Sequence, residues 1–329
     1  PPTLHQWLDD SLAEGDVDWA GFIYRGSLGP NDAEGRTVQL AIDIDAASLD
    51  YHPRWPALSD IKGLLTVNDA EVSVDVERAH LYDSSLSNTQ VTVVPSTAGS
   101  GMLLGIQSQL AGPASDGLRV LRDTMLRDTL GDGFDSWALN GGMEAQLTLS
   151  IPLTPEQPGA RQRVEVMLAD STLTMASQGL EFQQLNGQLN FDDRQGLSAN
   201  NLDGEFFQQP FSANIASNLA AKTTHVQARG AAAAGELADW IKRPELNFVD
   251  GVSPFNADLT LFYGETTSDK ARLQISSNLR GASVSLPAPF AKTAAQERPL
   301  AVDIGMGESS THYSINYADQ VHFELLQSS

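Results

Sequence analysis

The chain has 329 residues, of which 41% are hydrophobic, and its formal net charge is −22. That length allows one long domain or two to three ordinary ones. The acidic balance argues against a nucleic-acid partner and against a polybasic membrane anchor, because both need clustered Lys and Arg. The absence of cysteine excludes disulfides and thiolate metal ligands.

Most of the chain shows the period-two alternation of apolar and polar residues that is typical of half-buried antiparallel strands. In chain order, these runs lie around residues 38–44, 72–76, 147–151, 189–191, 259–261 and 302–306. Three short helices are also predicted, one before the first of these runs at about residues 3–14 and two between later runs at about residues 115–130 and 235–242. The second helix is predicted to start at a cap of Ser115 or Asp116 and to stop at Gly131.

Apolar residues recur at a constant offset, which indicates an internal repeat. Ile42, Leu49 and Gly63 superpose on Val166, Leu173 and Gly187, 124 positions later, and a looser third copy includes Ile275 and Val284. The sequence therefore predicts three repeat units in one continuous β structure: residues 1–112, 113–234 and 235–329, the last one partial.

The apolar phase slips by one residue inside each copy. In the first copy the slip lies between Ile44 and Leu49, and the matching slips lie at 168–173 and 279–284. A β-bulge produces such a slip and bends the sheet, whereas a plain turn between two strands produces the same pattern. Both interpretations stay open at this point.

Signals for catalysis and for cofactors are weak. The chain has no Gly-x-Ser-x-Gly elbow, no Walker loop and no His-Glu-x-x-His helix. Its six histidines do not pair at metal-ligand spacing, and we interpret the carboxylates of Asp128, Asp132 and Asp135 as solvated rather than as a calcium loop. We therefore predict neither enzymatic activity nor a cofactor nor a metal.

Three segments carry a family resemblance, and the first is the opening from Gln6-Trp7-Leu8 through Gly15 to Tyr24-Arg25-Gly26. The run from Trp55-Pro56 through Asp60-Ile61-Lys62-Gly63 to Val67 resembles a signature of the YhdP group of AsmA-like proteins, as does Leu286-Pro287-Ala288-Pro289-Phe290. The resemblance implies a periplasmic segment of a protein that is anchored in the inner membrane of a Gram-negative bacterium. It also implies phospholipid as the partner, carried between the inner and outer membranes, and an anchor that lies outside these residues.

Two architectures fit the alternating strands. The pattern alone fits a closed β-sandwich, whereas the family resemblance favours an elongated, curled antiparallel sheet that forms a groove, with short helices packed along it. We expect the alternating apolar residues to line that groove and to contact acyl chains. They are Leu40, Ile42, Ile44, Val74, Leu147, Leu149, Val166, Leu168, Leu189, Phe191, Leu261, Ile275, Val302 and Ile304.

The predicted function is non-enzymatic carriage of phospholipid through the apolar groove. The alternative is a structural or scaffolding periplasmic β-repeat domain that binds another envelope protein. A carbohydrate-binding or carbohydrate-processing β-domain is a more distant third.

Overall fold

A computed structural model describes residues 10–26, 35–96, 101–124, 126–127, 135–153, 159–242, 247–263, 269–318 and 320–328. The chain divides into two compact units, residues 1–167 and 168–329. Each unit is built mainly from antiparallel strands and, among the described residues, contains a short helix, which confirms the predicted mainly-β class with short helices.

The first unit is a meander in which each strand pairs with the next one along the chain. Its elements are β1 (Leu12–Arg25), β2 (Thr37–Leu49), β3 (Leu58–Asn68), β4 (Glu71–Leu81), β5 (Ser84–Pro95), β6 (Met102–Pro113), α1 (Ala114–Asp123) and β7 (Trp137–Pro152). β8 (Arg161–Met175) contains the boundary between the units. At the tight β3–β4 turn, Asp69 has a positive φ of 54° and its carboxylate accepts a hydrogen bond from the amide of Val38 at 2.7 Å.

The second unit continues the hairpin pattern with one irregularity. Its elements are β9 (Leu180–Asp192), β10 (Gly196–Phe206), β11 (Gln209–Asn218), β12 (Thr223–Ala233), α2 (Ala234–Trp240), β13 (Val249–Phe262), β14 (Asp269–Ser277), β15 (Ala282–Val284), β16 (Leu300–Gly307), β17 (Ser310–Tyr317) and β18 (Val321–Ser328). β14 pairs with β13 and β16, whereas the short β15 pairs with the first residues of β13.

The predicted phase slips are β-bulges in the first two copies. Ala46 in β2 has φ 52° at a register shift, and Asp170, 124 positions later, has φ 48° inside β8. At these points the backbone amides donate to side-chain oxygens: the amide of Ala46 to the carboxylate of Asp45, and the amide of Asp170 to the side-chain carbonyl of Asn186. The third slip is a turn instead, because β14 ends at Ser277 before the chain reaches β15.

A second pair of bulges supports the same repeat. Asp60 in β3 has φ 49°, and Gln184 in β9 has φ 50°, again 124 positions later. The repeat that was read from side-chain type therefore recurs in the backbone conformation. The division into repeat units 1–112, 113–234 and 235–329 stays a prediction. The helices α1 and α2 begin at residues 114 and 234, close to its two internal boundaries, and each directly follows a strand.

The helices differ from their predicted bounds. Residues Leu12–Glu14 belong to β1, so the first predicted helix does not reach residue 14, and residues 3–9 lie outside the described part. α1 ends at Asp123, where Thr124 is extended, and its N-cap is Pro113 with no side-chain cap. Ser115 and Asp116 were both wrongly predicted as the cap, because both lie inside the helix, and the predicted stop at Gly131 lies outside the described residues. The carboxylate of Asp116 is buried and accepts hydrogen bonds from the Ser84 hydroxyl at 2.8 Å and the Asp83 amide at 3.0 Å.

Glycines beside the bulges provide a test of this architecture. A Cβ on Gly63 would lie 2.5 Å from the carbonyl oxygen of Asp75, and one on Gly187, at φ 144°, would lie 3.1 Å from that of Asn201. Gly63→Ala and Gly187→Ala should each lower the free energy of unfolding by about 2 kcal/mol, because backbone cannot move aside cheaply. Gly159→Ala, which meets nothing within 4 Å, is the control and should change it by less than about 0.5 kcal/mol. Equal urea midpoints for all three variants would show that the strands do not approach as described.

Candidate functional site

The first unit presents two rows of apolar side chains that cross all seven of its strands. Residues paired across antiparallel strands point to the same face of a sheet, so the register defines these rows. The Ile42 row consists of Ala20, Ile42, Leu65, Val74, Val91, Ile106 and Leu149. The Leu40 row consists of Phe22, Leu40, Val67, Val72, Val93, Leu104 and Ile151.

None of these fourteen side chains is buried. Twelve are half-buried, and Ala20 and Phe22 on β1 are exposed. In a closed sandwich, the inward-facing residues of a sheet interdigitate with a second layer and lose most of their accessible surface. The two rows therefore form an open apolar strip on the first unit.

The same face carries buried side chains at its other end, the end at which α1 packs against β6 and β7. Small or medium side chains are buried there, on the α1 side of the bulges: Ala47, Ala79, Leu86, Met143 and Ala145, together with Ala114 and Leu118 of the helix. The hydroxyls of Thr89 and Ser108, both buried, hydrogen-bond to each other at 2.6 Å between this core and the open strip. The face is thus divided into a closed core and an open strip.

The second unit repeats the arrangement over more strands. The Leu189 row consists of Leu189, Ala199, Ile215, Val226, Leu259, Leu273, Ile304, Tyr313 and Leu325. The Ile275 row consists of Leu202, Ala213, Ala228, Ala257, Ile275, Val302, Ile315 and Phe323. From Val226 to Tyr313 the first of these rows is half-buried throughout.

Aromatic side chains close the α2 end of this face. Phe182 stacks on Phe206 with ring centroids 4.9 Å apart and meets the edge of Phe211 at 5.6 Å. The indole of Trp240 in α2 donates a hydrogen bond to the carbonyl of Gln178 at 2.8 Å. Buried alanines at 199 and 213 contribute small side chains to the face near this cluster.

The structure places the predicted groove residues as follows. In the first unit, Leu40, Ile42, Ile44, Val74, Leu147 and Leu149 are half-buried on the face that carries both rows. In the second unit, Leu189, Leu261, Ile275, Val302 and Ile304 are half-buried on the row-bearing face, and Phe191 on the same face is 38% exposed. Both residues predicted in β8 lie in the strand that contains the unit boundary. Val166 is half-buried, whereas Leu168 is buried, at 7% exposed.

Sequence reasoning missed the contributions of β5 and β6 and the aromatic cluster. Val91-Thr92-Val93-Val94 and Met102-Leu103-Leu104 place apolar residues on both faces, so alternation does not reveal which face is which. The cluster combines Phe182 with Phe206 and Phe211, and only the register of β9, β10 and β11 brings these residues together. The sequence signal that could have revealed β5 and β6 is a short run of apolar residues next to residues that favour turns.

The opposite face of each sheet carries polar side chains. In the second unit, Asp303 accepts hydrogen bonds from the Arg272 guanidinium at 2.9 and 2.6 Å and from the Gln274 amide at 2.9 Å. In the first unit, Arg78 bridges Asp60, at 3.1 Å, and Asp45, at 2.8 Å, beside the bulges. These contacts join neighbouring strands on the polar side.

Within the described ranges, no three His, Asp or Glu residues lie close enough together to hold a metal ion. Of the acidic trio considered above, Asp135 pairs with Arg127, and Asp128 and Asp132 lie outside the described residues. Across the same ranges, none of the helices has the length and apolarity needed to cross a membrane.

The fold and its surfaces define a β-rich protein that presents a broad, half-exposed apolar face on the antiparallel strands of each of its two units. The chain belongs to the YhdP family, whose model, described as YhdP protein, matches residues 1–329. It is similar to the intermembrane phospholipid transporter YhdP of Escherichia coli (strain K12), with 24% identity over 308 residues. The match covers 92% of this chain and 23% of that protein, so the chain spans about a quarter of the relative's length. No solved structure gives a significant match.

The Arg272–Asp303 pair predicts a pH dependence of stability. The hydrogen bond from Arg272 lowers the pKa of Asp303 below its ordinary value of 3.8. A carboxyl whose pKa is lowered by folding contributes stability above its unfolded pKa and loses it as the pH falls through the folded value. Arg272→Met should therefore lower the free energy of unfolding at pH 7 by about 1 kcal/mol or less, and the difference from the wild type should shrink once the pH falls below 3.8 and vanish when Asp303 is protonated in the folded chain. A difference that persists unchanged at low pH would contradict this assignment.

Proposed function

We propose that this chain carries phospholipid, without catalysis, by holding acyl chains against the open apolar strips of its sheets. The observation that carries the proposal is the pair of unbroken apolar rows across β1–β7, none of whose members is buried. The transport of phospholipid between membranes by the related E. coli protein supports the same cargo. The whole-protein activity, a periplasmic location and an inner-membrane anchor outside these residues are parts of this proposal.

The energetics favour an apolar ligand on the strips. Full burial of a Val, Leu or Ile side chain is worth about 1.5–3 kcal/mol, so covering fourteen partly exposed positions would gain on the order of 10 kcal/mol. A diacyl lipid gains in turn, since each methylene removed from water contributes about 0.8 kcal/mol. Chains that lie on an open strip remain free to slide, because apolar contact is not directional. The opposite face of the first unit has no unbroken row of this kind, because Asp43 and Asp75 flank Leu64 there.

The alternative function, docking of another envelope protein, has one observation in its favour. β18 carries exposed apolar side chains on both faces, with Leu325 at 44% and Leu326 at 65%. An exposed apolar strand is suited to pairing with a strand of another protein. That surface is separate from the Ile42 and Leu40 rows, so variants in those rows distinguish the two functions.

Ile42→Arg tests the proposed function. On an open strip, the guanidinium can reach water past its neighbours, so the variant should fold with a loss of about 1–2 kcal/mol. It should also bind much less phospholipid, because acyl chains do not cover a charge without a large desolvation penalty. Phospholipid bound per chain, measured by lipid extraction, and the melting temperature are the two readouts.

Two matched variants complete this experiment. Gln39→Arg adds the same charge to the polar face of β2 and should leave folding and phospholipid binding unchanged. Leu168→Arg places it at a buried position and should unfold the chain, with a loss above about 4 kcal/mol. If Ile42→Arg unfolds as Leu168→Arg does, the strip is a core. If it folds and binds phospholipid normally, the strip is not the carrier surface.

A further inference from the structure

A cavity of about 330 Å³ lies in the first unit, at the end of the strands where α1 packs. It is formed by the connector between β2 and β3, the turn between β4 and β5, and the last residue of α1. No member of the Ile42 row or the Leu40 row lines it. We call it the Trp55 cleft, and its lining includes Pro53, Arg54, Trp55, Pro56, Tyr82 and Asp123.

Two prolines hold the connector open. In the first copy of the repeat, residues 50–57 separate β2 from β3, whereas in the second copy only residues 176–179 separate β8 from β9. Proline donates no backbone hydrogen bond and interrupts a strand ladder, so Pro53 and Pro56 keep the first copy from closing into a tight hairpin. The half-buried indole of Trp55 lies on the connector between them.

An indole covers the matching place in the second unit. Gln178 and Gly179 stand 124 positions after Arg54 and Trp55. The nitrogen of the Trp240 indole donates a hydrogen bond to the carbonyl of Gln178 at 2.8 Å, and a Cβ on Gly179 would lie 3.6 Å from the same nitrogen. Trp240 is still 38% exposed, so a ring can reach this place from the solvent side.

The helices α1 and α2 occupy equivalent positions, but α1 lacks that indole. The buried carboxylate of Asp116, the third residue of α1, accepts a hydrogen bond from Ser84 at 2.8 Å. Glu236, the third residue of α2, accepts one at 3.4 Å from the amide of Gln208, which stands 124 positions after Ser84. Counted from these contacts, the seventh residue of α2 carries the indole, whereas the seventh residue of α1 is Val120. The first unit therefore keeps an open cleft at the place that the helix covers in the second unit.

The ring of Tyr82 is held in position without a ligand. Tyr82 has a φ of 56° in the β4–β5 turn, a conformation that costs a bulky residue free energy and that is concentrated at functional sites. The guanidinium carbon of Arg119 lies 3.7 Å from the ring centroid, and the hydroxyl of Tyr82 donates to Asp123 at 3.3 Å. Together with Trp55, the cleft presents two aromatic rings that are suited to offset or edge-on contact with a third.

We propose that the Trp55 cleft binds an indole or another aromatic side chain, presented by a segment of a different protein. The ring lies against the connector and the β4–β5 turn, as Trp240 lies against Gln178 and Phe207 in the second unit. Aromatic anchors that enter a pocket inside a polar rim are typical of protein interfaces, and the exposed Arg54 and Asp123 provide such a rim. The inference does not depend on phospholipid carriage, because the cleft and the two apolar rows share no residue.

A peptide of residues 236–242, which presents the indole of Trp240, is the probe, and its Trp240→Ala version is the control. The chain has five tryptophans, so its indole N–H signals can be followed one by one by NMR. The signal of Trp55 should shift in a saturable way with a Kd of about 1 mM, and the control peptide should bind at least about tenfold more weakly. Ile42→Arg, which obstructs the open strip, should bind the peptide as the wild type does.

Variants of the cleft complete the test. Tyr82→Asn removes the ring at a position whose positive φ suits Asn, so it should melt no lower than the wild type and bind the peptide about tenfold more weakly. Val120→Trp places an indole on α1 where α2 has Trp240, and it should abolish the shift of the Trp55 signal. Val120→Leu is the matched control, which leaves the cleft open and should bind the peptide normally.

Three outcomes overturn the inference. The first is equal binding of the two peptides, and the second is unchanged binding in Tyr82→Asn. The third is a shift of the Trp55 signal by N-acetylglucosamine at lower concentration than by the peptide, because the cleft would then recognise a carbohydrate. If Val120→Trp fails to fold, Tyr82→Asn decides the question alone.

Discussion

The alternation of side chains along each strand, combined with an antiparallel register that bulges adjust at a few positions, is the constraint on which this structure depends. Because paired residues share a face, one shifted hairpin would move half of an apolar row to the polar side. The register instead keeps Ile42, Leu65, Val74 and Val91 side by side, and it keeps Asp43 and Asp75 on the other face. The separation of an apolar face from a polar face follows from that register.

The bulges make it possible for one face to have two different roles. At Ala46 and Asp60 in the first unit, an extra residue changes the phase, so the apolar side chains beyond it remain on the same face. On the α1 side of the bulges, these side chains are buried, which stabilises the sheet. On the other side, at the Ile42 and Leu40 rows, they are mostly half-buried, which leaves surface for a ligand. Positive φ at Asp170 and Gln184 repeats the device in the second copy.

The sequence predicted the strand class, the apolar face and the positions of the phase slips, because alternation is a local signal, but it left open whether each slip is a bulge or a turn. Leu40, Ile42, Val74 and Leu149 were assigned to one face from spacing alone, and the register places them there. β1 was missed in part because Leu12 also fits a helical stripe, and tertiary pairing with β2 overrides that local preference. The aromatic cluster and the burial of Leu168 depend on which strands are neighbours, and no local pattern contains that information. Alternation alone could not predict that the strip is open, since a sandwich core and an open face share the same alternation. Only the family resemblance favoured a groove.

The amount of phospholipid that copurifies with the chain tests the central claim most directly. The chain is produced in the periplasm of a Gram-negative bacterium, purified without detergent and analysed by native mass spectrometry with lipid extraction. If the strips hold acyl chains, phospholipid should accompany the wild type at roughly one molecule per chain or more, because the strip of the first unit is long enough for one. A folded wild-type chain that carries no phospholipid, and takes up none from added phosphatidylethanolamine vesicles, would contradict the account.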